Sequence, residues 1–130
     1  MARYLLDSDA IIDYFAAFPG TVALLDELME RGDTLCVCDV VIAEVYSGIA
    51  PKDRQDADLY LDSLEFVATS RASARVAGEW RYAFARQGIK LPTTDAIVAA
   101  TAREDEATVI TGNARHFPMP EVSLLLLPRP

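Results

Sequence analysis

The chain has 130 residues, of which 52% are hydrophobic and 25% charged, a size and balance that suit one folded domain over residues 1–130 and argue against extended disorder. No run approaches the roughly 18 apolar residues that span a bilayer and no basic leader opens the chain, so a cytoplasmic protein without a membrane association is expected. Twelve basic residues against 20 acidic ones give a net charge of −8, which counts against broad attachment to a polyanion but leaves room for a small basic rim beside an acidic site.

Residues 3 to 7 form a short apolar run that ends in Asp7, with Asp9 two residues later, where the pattern turns from strand-like to helix-like. Ser8 or Asp9 suits the cap of a helix carrying Ile11, Ile12, Phe15 and Phe18. Pro19-Gly20 should stop that helix and Thr21 start a second one with Leu24, Leu25, Leu28 and Met29 on its apolar stripe, Gly32 lying just beyond. Leu35 to Cys38 reads as a second strand with both thiols on one side. Two Cys and the single His116 do not make a structural zinc set, so the thiols read as ordinary core residues. Asp39 is placed to cap a third helix, where Glu44 sits at the edge of the stripe Val41, Ile42, Val45 and Ile49. Residues 53 to 64 show helical spacing again in Ala57, Tyr60, Leu61 and Leu64.

Residues 65 to 68 are β-compatible, and Ser70 can cap a long helix to about Gln87 with Val76, Ala77, Trp80 and Phe84 inward. Arg71, Arg75, Arg81, Arg86 and Lys90 put five of the 12 basic residues in this stretch, either as a solvated face or as a rim for phosphates. After Pro92, residues 96 to 102 are apolar nearly all round, the mark of a buried helix, and Asp95 lies in its first turn, where the helix dipole favours a carboxylate. Residues 108 to 111 and 122 to 127 complete the strands. The alternation predicts an α/β fold with a mostly parallel sheet between helical layers.

Such a sheet gathers strand ends and helix starts along one edge, where ligands bind. Asp7, Glu44 and Asp95 would meet there. Converging carboxylates raise one another's proton affinity and are best tolerated around a cation; an oxygen-only donor set suits magnesium or manganese. A divalent ion so held would serve phosphodiester hydrolysis.

Four stretches, residues 4–13, 41–48, 91–102 and 109–117, resemble in order and spacing the four motifs of PIN-domain ribonucleases, and in overall length the toxin subunits of VapBC-type toxin–antitoxin pairs. The resemblance covers nearly the whole chain. It implies a three-layer α/β/α sandwich, a Mg2+- or Mn2+-dependent endoribonuclease acting on RNA, a cognate antitoxin that blocks the site, and a homodimer formed through helices near residues 21 to 64. By position it carries metal-site roles to Asp7, Glu44 and Asp95, and to Thr111 the task of orienting a water or a carboxylate.

The fit has departures. Many family members place a fourth acid two or five residues after the threonine, and here Asn113 and His116 stand there. Asn113 offers a cation a carbonyl oxygen without charge; Asp9 either restores the charge or caps a helix; His116 is either a proton donor to the leaving group or a turn residue. Two other readings follow: a PIN-like binding module with a weakened metal site, and a haloacid-dehalogenase-like phosphatase with Asp7 as nucleophile and Asp9 as acid, which would require a well-placed lysine, for which the chain offers only Lys52 and Lys90, and a late acidic pair on a strand end, which it does not offer. The RNA sequence cut is not legible.

Overall fold

The computed structural model describes residues 1–128; residues 129 and 130, part of the single-domain expectation, lie outside the described residues. Strand β1 (Arg3–Leu6) leads into α1 (Ser8–Phe15) and α2 (Pro19–Glu30), β2 (Thr34–Cys38) into α3 (Asp39–Ser47) and α4 (Arg54–Asp62), and β3 (Glu65–Val67) into α5 (Arg71–Arg86) and α6 (Thr93–Glu104). Strands β4 (Thr108–Thr111) and β5 (Leu124–Leu126) close the chain.

All neighbouring strands pair parallel, in the order β3-β2-β1-β4-β5. Parallel crossovers are right-handed, so the connections stepping outward to β2 and β3 lie on one face and the return through α5 and α6 lies on the other. The chain reverses its direction of travel at β1, and the crevice at such a switch point is where open α/β sheets hold ligands. Leu5, Leu6, Cys36, Val37, Val109 and Ile110 are almost completely buried, as a sheet covered on both faces requires. Helix α6 is buried along Asp95, Ala96 and Val98 to Ala102, and its small side chains let it lie close on β1 and β4.

Several boundaries differ from the sequence reading. Asp7, rather than Ser8 or Asp9, caps α1: its Oδ1 accepts the Ser8 amide at 2.9 Å. Pro19 begins α2 instead of ending α1, because a proline at the first helical position forfeits an amide that has no helical partner anyway. Phe18 therefore falls outside α1, and Ile12 and Phe15 are 49% and 37% exposed. Asp39 is the first residue of α3, not its cap, and its Oδ1 accepts from the backbone amide and hydroxyl of Thr69, fastening α3 to the chain after β3. A short 3-10 turn, Pro51–Asp53, precedes α4.

Helices α5 and α6 run antiparallel. The hydroxyls of Ser70 and Ser73 at the start of α5 both donate to Glu104 Oε2 at the end of α6, while Arg81 Nε donates to the Leu91 carbonyl just before α6 begins, at 3.0 Å. Gly88, at φ +80°, makes the turn between them in a conformation other residues rarely adopt.

Candidate active site

Asp7 leaves the end of β1 and is only 3% exposed. Its backbone amide donates to the Ile110 carbonyl of β4 at 3.0 Å, so the residue is pinned across the switch point before its side chain is considered. The carboxyl then accepts from Ser8 N through Oδ1 and from Thr111 Oγ1 through Oδ2, the latter at 2.8 Å. Thr111, fully buried at the end of β4, in turn accepts the Asn113 amide at 3.1 Å. Asn113 thus contributes its backbone; its side chain is exposed.

Asp9, in the first turn of α1, accepts the Gly112 amide through Oδ2 at 2.8 Å. This bond ties α1 to the loop after β4 and does not cap the helix. Asp95, in the first turn of α6, lies 2.6 Å through Oδ2 from His116 Nδ1. Glu44 reaches in from α3, and its Oε1 is buried with no hydrogen-bond partner.

The acids sense one another. Burial, the Asp9 charge and the Asp95 charge push the Asp7 carboxyl up to about 7, with the bonds from Thr111 and Ser8 opposing. Glu44 is raised by burial and then by Asp95 and Asp9, against a bond from Thr94. Burial raises Asp95 as well, and His116 counteracts it. Asp7, Asp9, Glu44 and Asp95 therefore form one electrostatic cluster at the sheet's switch point.

Whether they suit a divalent cation is a question of donors. Three carboxyls with a raised proton affinity, Asp7, Glu44 and Asp95, with Asp9 beside them and one buried Glu44 oxygen without a partner, form an all-oxygen set of the kind hard cations take. As they stand, however, no three Asp, Glu, His or Cys side chains among the described residues gather tightly enough to hold an ion. Asp95 is turned to His116 and Asp7 to Thr111, so shared coordination requires side-chain rotation. The donors fit the ion, and their present rotamers do not preassemble its shell.

Two contacts were not legible in the sequence. His116 meets Asp95 although 21 positions separate them, and Thr94 supports Glu44 from another helix; only the folded β4 end and α6 start bring these groups together. The basic residues of α5 divide. Arg71 and Arg75 lie toward the Glu104 end of the helix pair, remote from Asp95, and Arg81 is engaged by the Leu91 carbonyl. Lys52 and Lys90 are both exposed, so the phosphatase arrangement, with a lysine beside Asp7, is not found among the described residues.

Residues 4–121 match the family model for the PIN domain. Ribonuclease VapC10 of Mycobacterium tuberculosis is 30% identical over 117 residues, 88% of this chain and 86% of that protein. Ribonuclease VapC19 of the same organism is 27% identical over 117 residues, 88% and 92% of the two chains. Among solved structures, VapBC2 from Rickettsia felis bound to a fragment of promoter DNA superposes with a TM-score of 0.84 at 23% identity, covering 97% of this chain and 99% of that one. Matched along its sequence and in its fold, the chain belongs to the PIN-domain family and, within it, to the VapC ribonucleases.

Proposed function

We propose that the protein is a Mg2+- or Mn2+-dependent endoribonuclease, the toxin of a cytoplasmic toxin–antitoxin pair. The observation that carries this reading is the buried carboxyl cluster at the switch point, with Asp7 held by Thr111 across β1 and β4. Asp7, Glu44 and Asp95 would hold the ion, with Asp9 beside them. When bound, a divalent cation supplies positive charge to a phosphoryl oxygen and lowers the pKa of a water. The residues of the chain do the positioning: Thr111 fixes Asp7, His116 fixes Asp95, Thr94 steadies Glu44, and the Gly112 amide holds Asp9. In hydrolysis the water oxygen bonds to phosphorus, its proton passes to a carboxylate oxygen of the cluster, and the phosphoester bond to the leaving ribose oxygen breaks, that oxygen departing with the bonding electrons and taking a proton from solvent.

The partner is an antitoxin. An apolar groove of about 450 Å³ runs between α1, α3 and α4, floored by Ile12, Phe15, Val45 and Ile49 and rimmed by Asp53 and Asp56. Tyr14 and Phe15 pack on Tyr60 and hold α1 against α4 beside it. An antitoxin segment with apolar anchors and basic flanks fits that chemistry, and because α1 also carries Asp9, the groove opens about one turn from the acids. An arginine from such a segment would pair with the carboxylates and exclude the cation. A homodimer through α2 to α4 completes the assembly. Among the described residues no single helix is long and apolar enough to cross a membrane.

Asp7→Asn or Asp95→Asn is expected to abolish RNA cleavage with the circular-dichroism spectrum preserved. Metal-dependent cleavage at the wild-type rate by either folded variant would refute the reading. One observation favours a second reading, a binding module with a weakened metal site: Asn113, exposed and uncharged, stands where the resemblance to the family implies an acid. Calorimetric titration separates the two, since no uptake of Mg2+ or Mn2+ at millimolar concentration favours the module.

A further inference from the structure

Helix α5 carries a feature that the acid cluster does not use. Its buried and half-buried stripe is Ser73, Ala77, Trp80 and Phe84. At about 100° per residue, Arg71, Arg75, Tyr82 and Arg86 fall within an arc of roughly 60° on the opposite side. All four are exposed, and with a rise of about 1.5 Å per residue the stripe is roughly 22 Å long. It runs from the Glu104 end of the α5–α6 pair to the end where α6 starts and Asp95 lies.

Four observations set this stripe apart from ordinary surface charge. In a chain with 20 acids and 12 bases, none of these three arginines has an ion-pair partner among the described residues. Arg71 is the first residue of α5, where the helix dipole disfavours positive charge, so helix stability does not account for it. Between Arg75 and Tyr82 comes Gly78, mid-helix, where an added Cβ would meet nothing within 4 Å. The fold does not need that glycine, which weakens a helix, but a ligand backbone approaching the helix closely would. At the far end the Arg86 guanidinium lies over one face of the Tyr82 ring, 4.2 Å from its centroid, and Tyr82 is 65% exposed.

We infer that the outward face of α5 is a track for the part of an RNA substrate that flanks the cleaved bond, with phosphates on Arg71, Arg75 and Arg86 and an unpaired base on Tyr82. Arginines bind phosphate oxygens, aromatic rings stack bases without regard to sequence, and Gly78 admits the sugar-phosphate chain. The inference rests on the ribonuclease reading for its choice of RNA over an acidic protein.

The test compares wild-type protein with the Arg71→Gln/Arg75→Gln/Arg86→Gln variant, whose changes are all at exposed positions. Binding of a fluorescein-labelled, unstructured 20-nucleotide RNA is followed by anisotropy in EDTA, where no cleavage intervenes. The variant is expected to bind at least tenfold more weakly near 0.1 M salt, and its plot of log K against log salt to be shallower by about 2, since each phosphate contact to a single strand contributes about 0.7. In Mg2+, kcat/KM should fall at least tenfold on a long RNA and stay unchanged on a five-nucleotide substrate. Gly78→Leu should raise the melting temperature and still weaken RNA binding, a divergence that a structural role cannot produce. An unchanged salt slope, equal losses on long and short RNA, or a loss confined to antitoxin binding overturns the track. If wild-type protein cuts neither RNA while the anisotropy difference persists, the nuclease reading fails and the track stands.

Discussion

Asp7→Asn should make the protein more stable as it removes the activity. Asp7 is 3% exposed and its carboxyl is raised from 3.8 to about 7, chiefly by burial and then by Asp9 and Asp95. The folded chain therefore holds a proton that the unfolded chain releases between pH 4 and 7. Stability falls as pH rises through that window, and the loss is complete above about 7. A shift of that size corresponds to about 4 kcal/mol of destabilisation at pH 8. Asparagine carries no charge and caps helices as well as aspartate does, so the Ser8 amide keeps its acceptor. The bond to Thr111 becomes a neutral one, costing about 1 kcal/mol. The net gain is about 3 kcal/mol, which raises the melting temperature by roughly 10 °C for a chain of this size. Thermal unfolding followed by circular dichroism in EDTA at pH 8, 5 and 4 measures it. The gain should be largest at pH 8, fall by more than half at pH 5 and vanish near pH 4. A variant less stable than wild type at pH 8, or a gap that does not change with pH, refutes the account of Asp7 as a buried, electrostatically strained acid.

Other substitutions probe the supports. Thr111→Val removes the donor to Asp7 and the acceptor of the Asn113 amide; it should cost about 1–3 kcal/mol in unfolding experiments and lower cleavage at least tenfold, with Thr111→Ser restoring most of both. His116→Ala frees Asp95 to bind a proton more tightly, so RNA cleavage should suffer more at pH 6 than at pH 8; equal losses at both would show that His116 does not act through Asp95. Burial pushes both thiols to about 11, so Cys36 and Cys38 should resist alkylation by iodoacetamide at pH 8 until the protein is denatured, as mass spectrometry would show.

The elements that strong local patterns specify were legible in the sequence. The apolar run before Asp7, the all-apolar helix after Asp95 and the strand at residues 108–111 lie where their patterns indicate. The start of α2 was not, because a proline can break a helix or begin one, and tertiary context decides between the two. Strand order was not legible either: periodicity says that a segment is a strand and is silent on its neighbours. For the same reason the gathering of Asp7, Glu44 and Asp95 could be anticipated from helix starts and strand ends, whereas the pairs His116–Asp95 and Thr94–Glu44 depend on how α3, α6 and the loop after β4 meet. The arginines of α5 illustrate the limit from the other side. Sequence spacing grouped them and left a solvated face and a phosphate rim both open, and the antiparallel docking of α5 on α6 carries Arg71 and Arg75 to the end away from Asp95.

The bond between Asp7 and Thr111 joins residues 104 positions apart, the first strand made and the fourth. On a ribosome adding about 5 to 20 residues per second, Asp7 waits on the order of 5 to 20 seconds for the partner that fixes its side chain. Through that interval the emerging polypeptide lacks β4, Thr111 and His116, and the Asp7 side chain has only the bond from the neighbouring Ser8 amide. The long sequence separation of these two strands, neighbours in the sheet, means that the support of Asp7 is completed only once residue 111 has been added and β4 has docked beside β1.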